Sequence, residues 1–147
     1  MEKSAFNLDD SPGFLLNQAV LRLNAAHDRA LAPDGLTGAQ WTVLWLLATG
    51  RAQTPAAVSS YLGVDTGAIT RLLDRLETKG LVARRPNPAD RRSVMLALTP
   101  RGNDLYPRLP GTVAAVVARL FDGIAPEEMT TFKRVLLRVL DNADPEE

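Results

Sequence analysis

The chain has 147 residues, of which 46% are hydrophobic and 23% charged, enough for one domain with its own core. It contains no cysteine and a single histidine, His27. Disulfides, cysteine-based zinc sites and thiol redox sensing are therefore excluded, and no stretch has the Asp/Glu/Gly spacing of a calcium loop. Basic and acidic residues balance at 17 each, so the chain is not a uniformly basic nucleic-acid binder.

The first ten residues carry Glu2, Asp9 and Asp10 without an apolar core, unlike a secretory signal. No apolar run reaches the roughly 18 residues of a membrane span, and a cytoplasmic location is expected. From Gly13 to Leu31, apolar residues recur at Leu15, Leu16, Ala19, Val20, Leu23, Ala26 and Ala30, which predicts an amphipathic helix closed by Pro33-Asp34-Gly35. Thr37-Gly38-Ala39-Gln40 has the form of a capping box and opens a helix over 38–48, with Trp41, Leu44, Trp45 and Ala48 along one side. Thr54-Pro55 places an N-cap before a proline at the first helical position, and the helix 55–62 is expected to bury Val58 and Leu62.

Gly63 supplies a turn, and Asp65 or Thr66 caps the next helix, which runs to about Lys79 before Gly80. One side of it carries Ile69, Leu72, Leu73 and Leu76. The other carries Thr66, Thr70, Arg71, Asp74 and Arg75. The period then shortens: 81–85 and 93–98 read as two strands around the polar tip Pro86-Asn87-Pro88-Ala89-Asp90-Arg91-Arg92. Thr99-Pro100 opens a helix to about Phe121, with a kink or break expected at Pro107 and Pro110. A last helix starts at Pro126-Glu127-Glu128, with Met129, Phe132, Val135, Leu136 and Leu140 as its stripe, and the acidic tail after Asn142 is expected to be loose. The fold class is mainly α with a small β-hairpin. The chain reads as one domain, 1–147, with a central lobe at 37–99 and flanking helices at 11–36 and 100–142.

Two helices joined by Gly63-Val64, the second followed at once by a hairpin, make the order of a winged helix-turn-helix. Between Asp65 and Arg92 seven basic residues (Arg71, Arg75, Lys79, Arg84, Arg85, Arg91, Arg92) outnumber four acids, whereas the tail is acidic. A helix of about 12 Å diameter fits the DNA major groove. Gly67 and Ala68 let its leading end approach base edges; Thr66, Thr70 and Arg71 supply hydrogen bonds to bases or phosphates, and Arg75 extends the same face. Arginines on a hairpin tip suit a minor groove or its phosphates. Either feature alone is commonly a solvated surface; the two together, in this order, favour double-stranded DNA as the partner.

The segment DTGAITRLLDRLETKGLVARRPNPADRRSVMLALT, Asp65 to Thr99, resembles the core of MarR family regulators, and the helix body TRLLDRLETKGLV, the tip DRRS and the closing LTPRG agree in order and spacing. The helical frame on both sides is similar too. The resemblance implies a homodimer held by the terminal helices, one winged module per subunit, and usually repression. It implies that Asp90 pairs with an arginine to brace the tip, that Arg92 enters the minor groove, and that Arg91 lies nearer the phosphates. It further implies a pocket for small phenolic or aromatic acids between dimer helices and DNA lobe, with Arg22, His27, Trp41 and Trp45 as candidate contacts. Core packing is the plainer reading of the two tryptophans. The family's cysteine-based sensing does not carry over, and no cofactor or metal is expected. An enzyme finds no support: GxSxG, HExxH and a phosphate-binding glycine loop are all missing. The remaining alternative is a winged helix used for protein contact.

Overall fold

Local capping chemistry sets the starts of the helices at Gly38, Pro55, Thr66 and Pro100. The computed structural model describes residues 6–144, so residues 1–5 and the tail's Glu146 and Glu147 lie outside the described residues. The helices are α1 (Pro12–Leu31), α2 (Gly38–Ala48), α3 (Pro55–Leu62), α4 (Thr66–Thr78), α5 (Pro100–Leu105), α6 (Leu109–Leu120) and α7 (Pro126–Ala143), with strands β1 (Val82–Pro86) and β2 (Val94–Leu98) between α4 and α5. The residues fall into two units, Met1–Val116 and Val117–Glu147.

In the first unit, Thr37 and Gln40 form the expected reciprocal box: the Gln40 amide donates to Thr37 Oγ1 and the Thr37 amide to Gln40 Oε1, both at 3.2 Å. The Asp28 carboxylate of α1 accepts the Gly38 amide at 2.8 Å, satisfying a further free donor of α2 and tying the two helices together. Thr54, Asp65 and Thr99 cap α3, α4 and α5, accepting from Ala57, Ala68 and Gly102. Gly63 (φ 64°) and Gly80 (φ 72°) end α3 and α4 in the left-handed region, where a side chain is strained.

β1 and β2 pair antiparallel, from Val82 opposite Leu98 to Pro86 opposite Val94. The Leu96 amide also donates to Gln53 O at 2.7 Å, so the α2–α3 loop lies along the free edge of β2.

The α-helix is interrupted at the two prolines, as expected: α5 ends at Leu105 and α6 begins at Leu109. Pro110 has no N–H for the Tyr106 carbonyl four residues back, and the Leu109 amide takes that carbonyl instead. Residues Tyr106–Arg108 thereby tighten into one 3-10 turn, and the backbone stays right-handed helical from Pro100 to Leu120.

The core of this unit draws on α2, α3, α4, both strands and the ends of α1 and α6. Leu31, Val43, Leu44, Leu46, Val58, Ile69, Leu73, Leu76 and Leu109 are fully buried. On α2 the inward side differs from the expected one. Gln40, Val43, Leu44 and Leu46 are buried, Trp41 and Trp45 only half-buried, and Ala48 exposed. The helix is apolar around its whole circumference, so periodicity does not select a face. On α3, Val58 is buried as expected and Leu62 half-buried.

In the second unit, α7 begins where Glu128 reaches back to the Ala125 amide at 3.0 Å. Phe121 and Phe132 pack with their rings tilted at 49° and centroids 5.8 Å apart. No residue of α7 is fully buried, and Phe132, Val135, Leu137, Val139 and Leu140 are exposed.

Candidate nucleic-acid interface

The leading end of α4 is a polar, sterically open surface. Thr66, Gly67, Thr70, Arg71 and Arg75 are exposed, and Ala68 is half-buried. Asp65 faces back into the helix, its Oδ1 accepting the Ala68 amide at 2.9 Å, so this carboxylate caps the end instead of standing on the outer face. The Thr70 hydroxyl donates to the Thr66 carbonyl at 2.9 Å, which leaves its lone pairs free to accept from a ligand. A methyl group on Gly67 would lie 3.2 Å from Asp65 Oδ1 and 3.7 Å from an Arg71 guanidinium nitrogen, so glycine here spares both the cap and the arginine. Ile69, Leu73 and Leu76 bury the opposite side and fix which way the polar side faces.

The seven basic residues of this region separate into two groups. Arg84 of β1 is held by α4, with Nη2 on Asp74 at 2.9 Å and Nη1 on Glu77. The Asp74 hydrogen bond chiefly raises its pKa above the ordinary arginine value; burial opposes the shift, and the charges of Glu77 and Asp74 add to it. Lys79 turns away from the outer face to Gly35 O and Gln40 Oε1. Arg71, Arg75, Arg85, Arg91 and Arg92 are all exposed, and none forms an ion pair among the described residues. The positive charge available to a partner thus sits along the exposed side of α4, at Arg71 and Arg75, and on the hairpin. Arg85 belongs with this set although only its place in the basic stretch pointed to it.

The hairpin tip is braced by its own backbone. Asn87 Oδ1 accepts the Ala89 amide at 3.0 Å, Asn87 Nδ2 donates to Ser93 Oγ at 2.8 Å, and Asp90 Oδ1 accepts the Arg92 amide at 2.9 Å. Asp90 therefore does brace the tip, but through the main chain of Arg92; the arginine side-chain pair implied by the resemblance is not formed among the described residues. The Arg92 guanidinium stays free to point outward. Arg84, Arg85 and Arg91 line an open cleft of about 450 Å³ beside the strands.

Each of the four candidate effector contacts has a local neighbour of its own. Arg22 donates to its helical neighbour Gln18 at 2.8 Å. Trp41 stacks nearly parallel on Tyr106 at 5.8 Å. Trp45 packs against Tyr61 at 6.2 Å, with the Arg51 guanidinium 5.0 Å from its ring centre. His27 lies against Gly38, and its Nε2 is enclosed without a hydrogen-bond partner. That burial lowers its pKa, opposed by the nearby Asp28 charge. Among the described residues no cluster of three or more metal-ligating side chains occurs, and no helix is long and apolar enough to cross a membrane.

Comparison with known proteins places this geometry among relatives. A family model described as MarR family matches residues 34–93. The multiple antibiotic resistance protein MarR of Escherichia coli is 34% identical over 130 residues, covering 85% of this chain and 90% of that protein. A mutant of Escherichia coli MarR solved in complex with operator DNA superposes with a TM-score of 0.84 at 32% identity, covering 92% of this chain and 98% of that one. BpsR of Bordetella bronchiseptica, solved in a study of how 6-hydroxynicotinic acid regulates its DNA binding, superposes with a TM-score of 0.83 at 29% identity, covering 95% of this chain and 99% of that one.

Proposed function

The chain belongs to the MarR family, and from that premise we propose that it is a cytoplasmic, homodimeric transcriptional regulator, a repressor, that binds a pseudopalindromic operator. The observation that carries this reading is the set of five exposed, unpaired arginines along α4 and on the hairpin. α4 enters the major groove with Thr66, Thr70 and Arg71 at base edges or phosphates, while Gly67 and Ala68 keep the approach close. Arg75 and Arg91 meet phosphates, and Arg92 enters the adjacent minor groove, where its charge responds to groove width and potential.

Dimerisation follows from apolar surface. Leu15, Leu16, Val20 and Leu21 of α1 are exposed, as are the α7 residues named above. A second copy that covers these faces removes them from water and sets two α4 helices about one helical turn of DNA apart. A small aromatic or phenolic acid then acts by favouring a dimer whose α4 separation no longer matches the operator. The relative BpsR, whose DNA binding is regulated by 6-hydroxynicotinic acid, supports that class of effector. The chain acts by binding and not by catalysis.

The test is fluorescence anisotropy with DNA from upstream of the chain's own gene, across a salt series. Specific binding whose affinity falls steeply with salt supports the reading. Binding to a protein partner that ignores both Arg92→Ala and salt, with no DNA bound, would favour a winged helix used for protein contact.

A further inference from the structure

Lys79 ends α4 one turn beyond Arg75, yet its side chain leaves the basic face. Its ammonium donates to the carbonyl of Gly35, in the turn after α1, and to Gln40 Oε1 at 2.7 Å. Gln40 is the one buried polar residue among the described ones, 3% exposed, and the same Oε1 accepts the Thr37 amide to close the box that starts α2. One charge therefore joins the C-terminal end of α4 to the α1–α2 turn and to the start of α2. On its other side, the same helix end is held by Thr99, whose hydroxyl donates to Gly80 O at 2.6 Å and whose amide donates to Leu81 O at 3.0 Å.

We propose that Lys79 is a positioning residue for DNA recognition, a latch that fixes the direction of α4 without touching DNA; the proposal rests on the DNA-binding reading above. The leverage is geometric. Thr66 lies 13 residues before Lys79, about 20 Å along a helix rising 1.5 Å per residue. A swing of about 5° at the latched end moves the leading end by about 1.7 Å. Hydrogen bonds to base edges tolerate a donor–acceptor range of only about 0.5 Å, so such a swing breaks them. Phosphate contacts made through long arginine side chains tolerate it. Loss of the latch therefore costs sequence discrimination more than general DNA affinity.

The experiment measures binding of Lys79→Met, Gln40→Met, the double variant and Gln40→Glu to operator and to scrambled DNA, each across a salt series. The latch predicts that Lys79→Met and Gln40→Met each weaken operator binding about tenfold or more, leaving scrambled-DNA affinity and the salt slope at wild-type values. The double variant loses less than the sum of the two singles, because both remove the shared Lys79–Gln40 contact while each also loses a contact of its own. Gln40→Glu keeps an acceptor for Lys79 and holds operator affinity within about threefold of wild type. Retained binding of scrambled DNA shows that a variant is folded; should Lys79→Met not fold, the Gln40 variants decide. A salt slope reduced by about one in Lys79→Met would show a phosphate contact and overturn the latch. Operator affinity unchanged in both single variants, or losses that add in the double, would overturn it as well. Wild-type protein that binds neither DNA would instead overturn the reading on which the latch rests.

Discussion

Gly102 offers a prediction whose size is set by the geometry. It sits buried in the first turn of α5, and a methyl group there would lie 2.3 Å from the Leu81 carbonyl oxygen and 3.2 Å from its carbon. Both obstacles are backbone, so no side chain can swing aside. Contact at ordinary van der Waals distance requires a retreat of about 1 Å, which costs about 1–3 kcal/mol as overpacking. The same carbonyl accepts the Thr99 amide at 3.0 Å, and straining that bond costs about 1 kcal/mol more. Alanine's better helix propensity returns up to about 1 kcal/mol. The net loss for Gly102→Ala is about 2 kcal/mol, or a fall in Tm of about 4–8 °C for a chain of this size. Thermal unfolding followed by circular dichroism, at matched protomer concentration, measures it. A Tm within 1 °C of wild type, or above it, would refute the claimed close approach of α5 to Leu81.

Other consequences are as definite. Arg92→Ala should weaken operator binding about 10- to 100-fold and lower the salt slope by about one; analytical ultracentrifugation should still find the dimer. Arg84→Ala should change stability by less than about 1 kcal/mol, since the pairs it makes are largely exposed. It nonetheless leaves Asp74 and Glu77 unneutralised beside the basic face, so operator affinity at low salt should fall about three- to tenfold and recover in Arg84→Ala/Asp74→Asn/Glu77→Gln. His27 has a folded-state pKa below its ordinary 6.5, through burial first, with Asp28 opposing. A depressed value means that the folded state resists protonation, so this residue's contribution is complete above pH 6.5 and is lost as pH falls through the folded value. Tm should accordingly drop as pH falls from 6.5 towards the folded value, and His27→Gln should flatten the drop.

What the sequence made legible was local. Thr37 with Gln40, Thr54 with Pro55, Thr99 with Pro100, and the glycines at 63 and 80 act within a few residues, and each marks an element end correctly. The order of helices and hairpin followed from those signals and from periodicity. The inward face of α2 did not, because a helix apolar all round carries no phase. The fates of Lys79 and Arg84 were also hidden. Counted along the chain they are two more positive charges; their partners, Gly35 and Gln40 for one and Asp74 and Glu77 for the other, are set by how elements pack. The bracing of the tip was legible in its residue, Asp90, and not in its mechanism, since an aspartate two residues before an exposed amide caps that amide before it reaches for a distant guanidinium.

Hydroxyl-radical footprinting on the upstream operator tests the central claim most directly, because it reads where the protein touches DNA and with what symmetry. The account predicts protected patches related by a two-fold axis, their centres about one helical turn apart, with flanking minor-groove protection that disappears in Arg92→Ala. A single patch without symmetry, or protection that Arg92→Ala leaves intact, would contradict it.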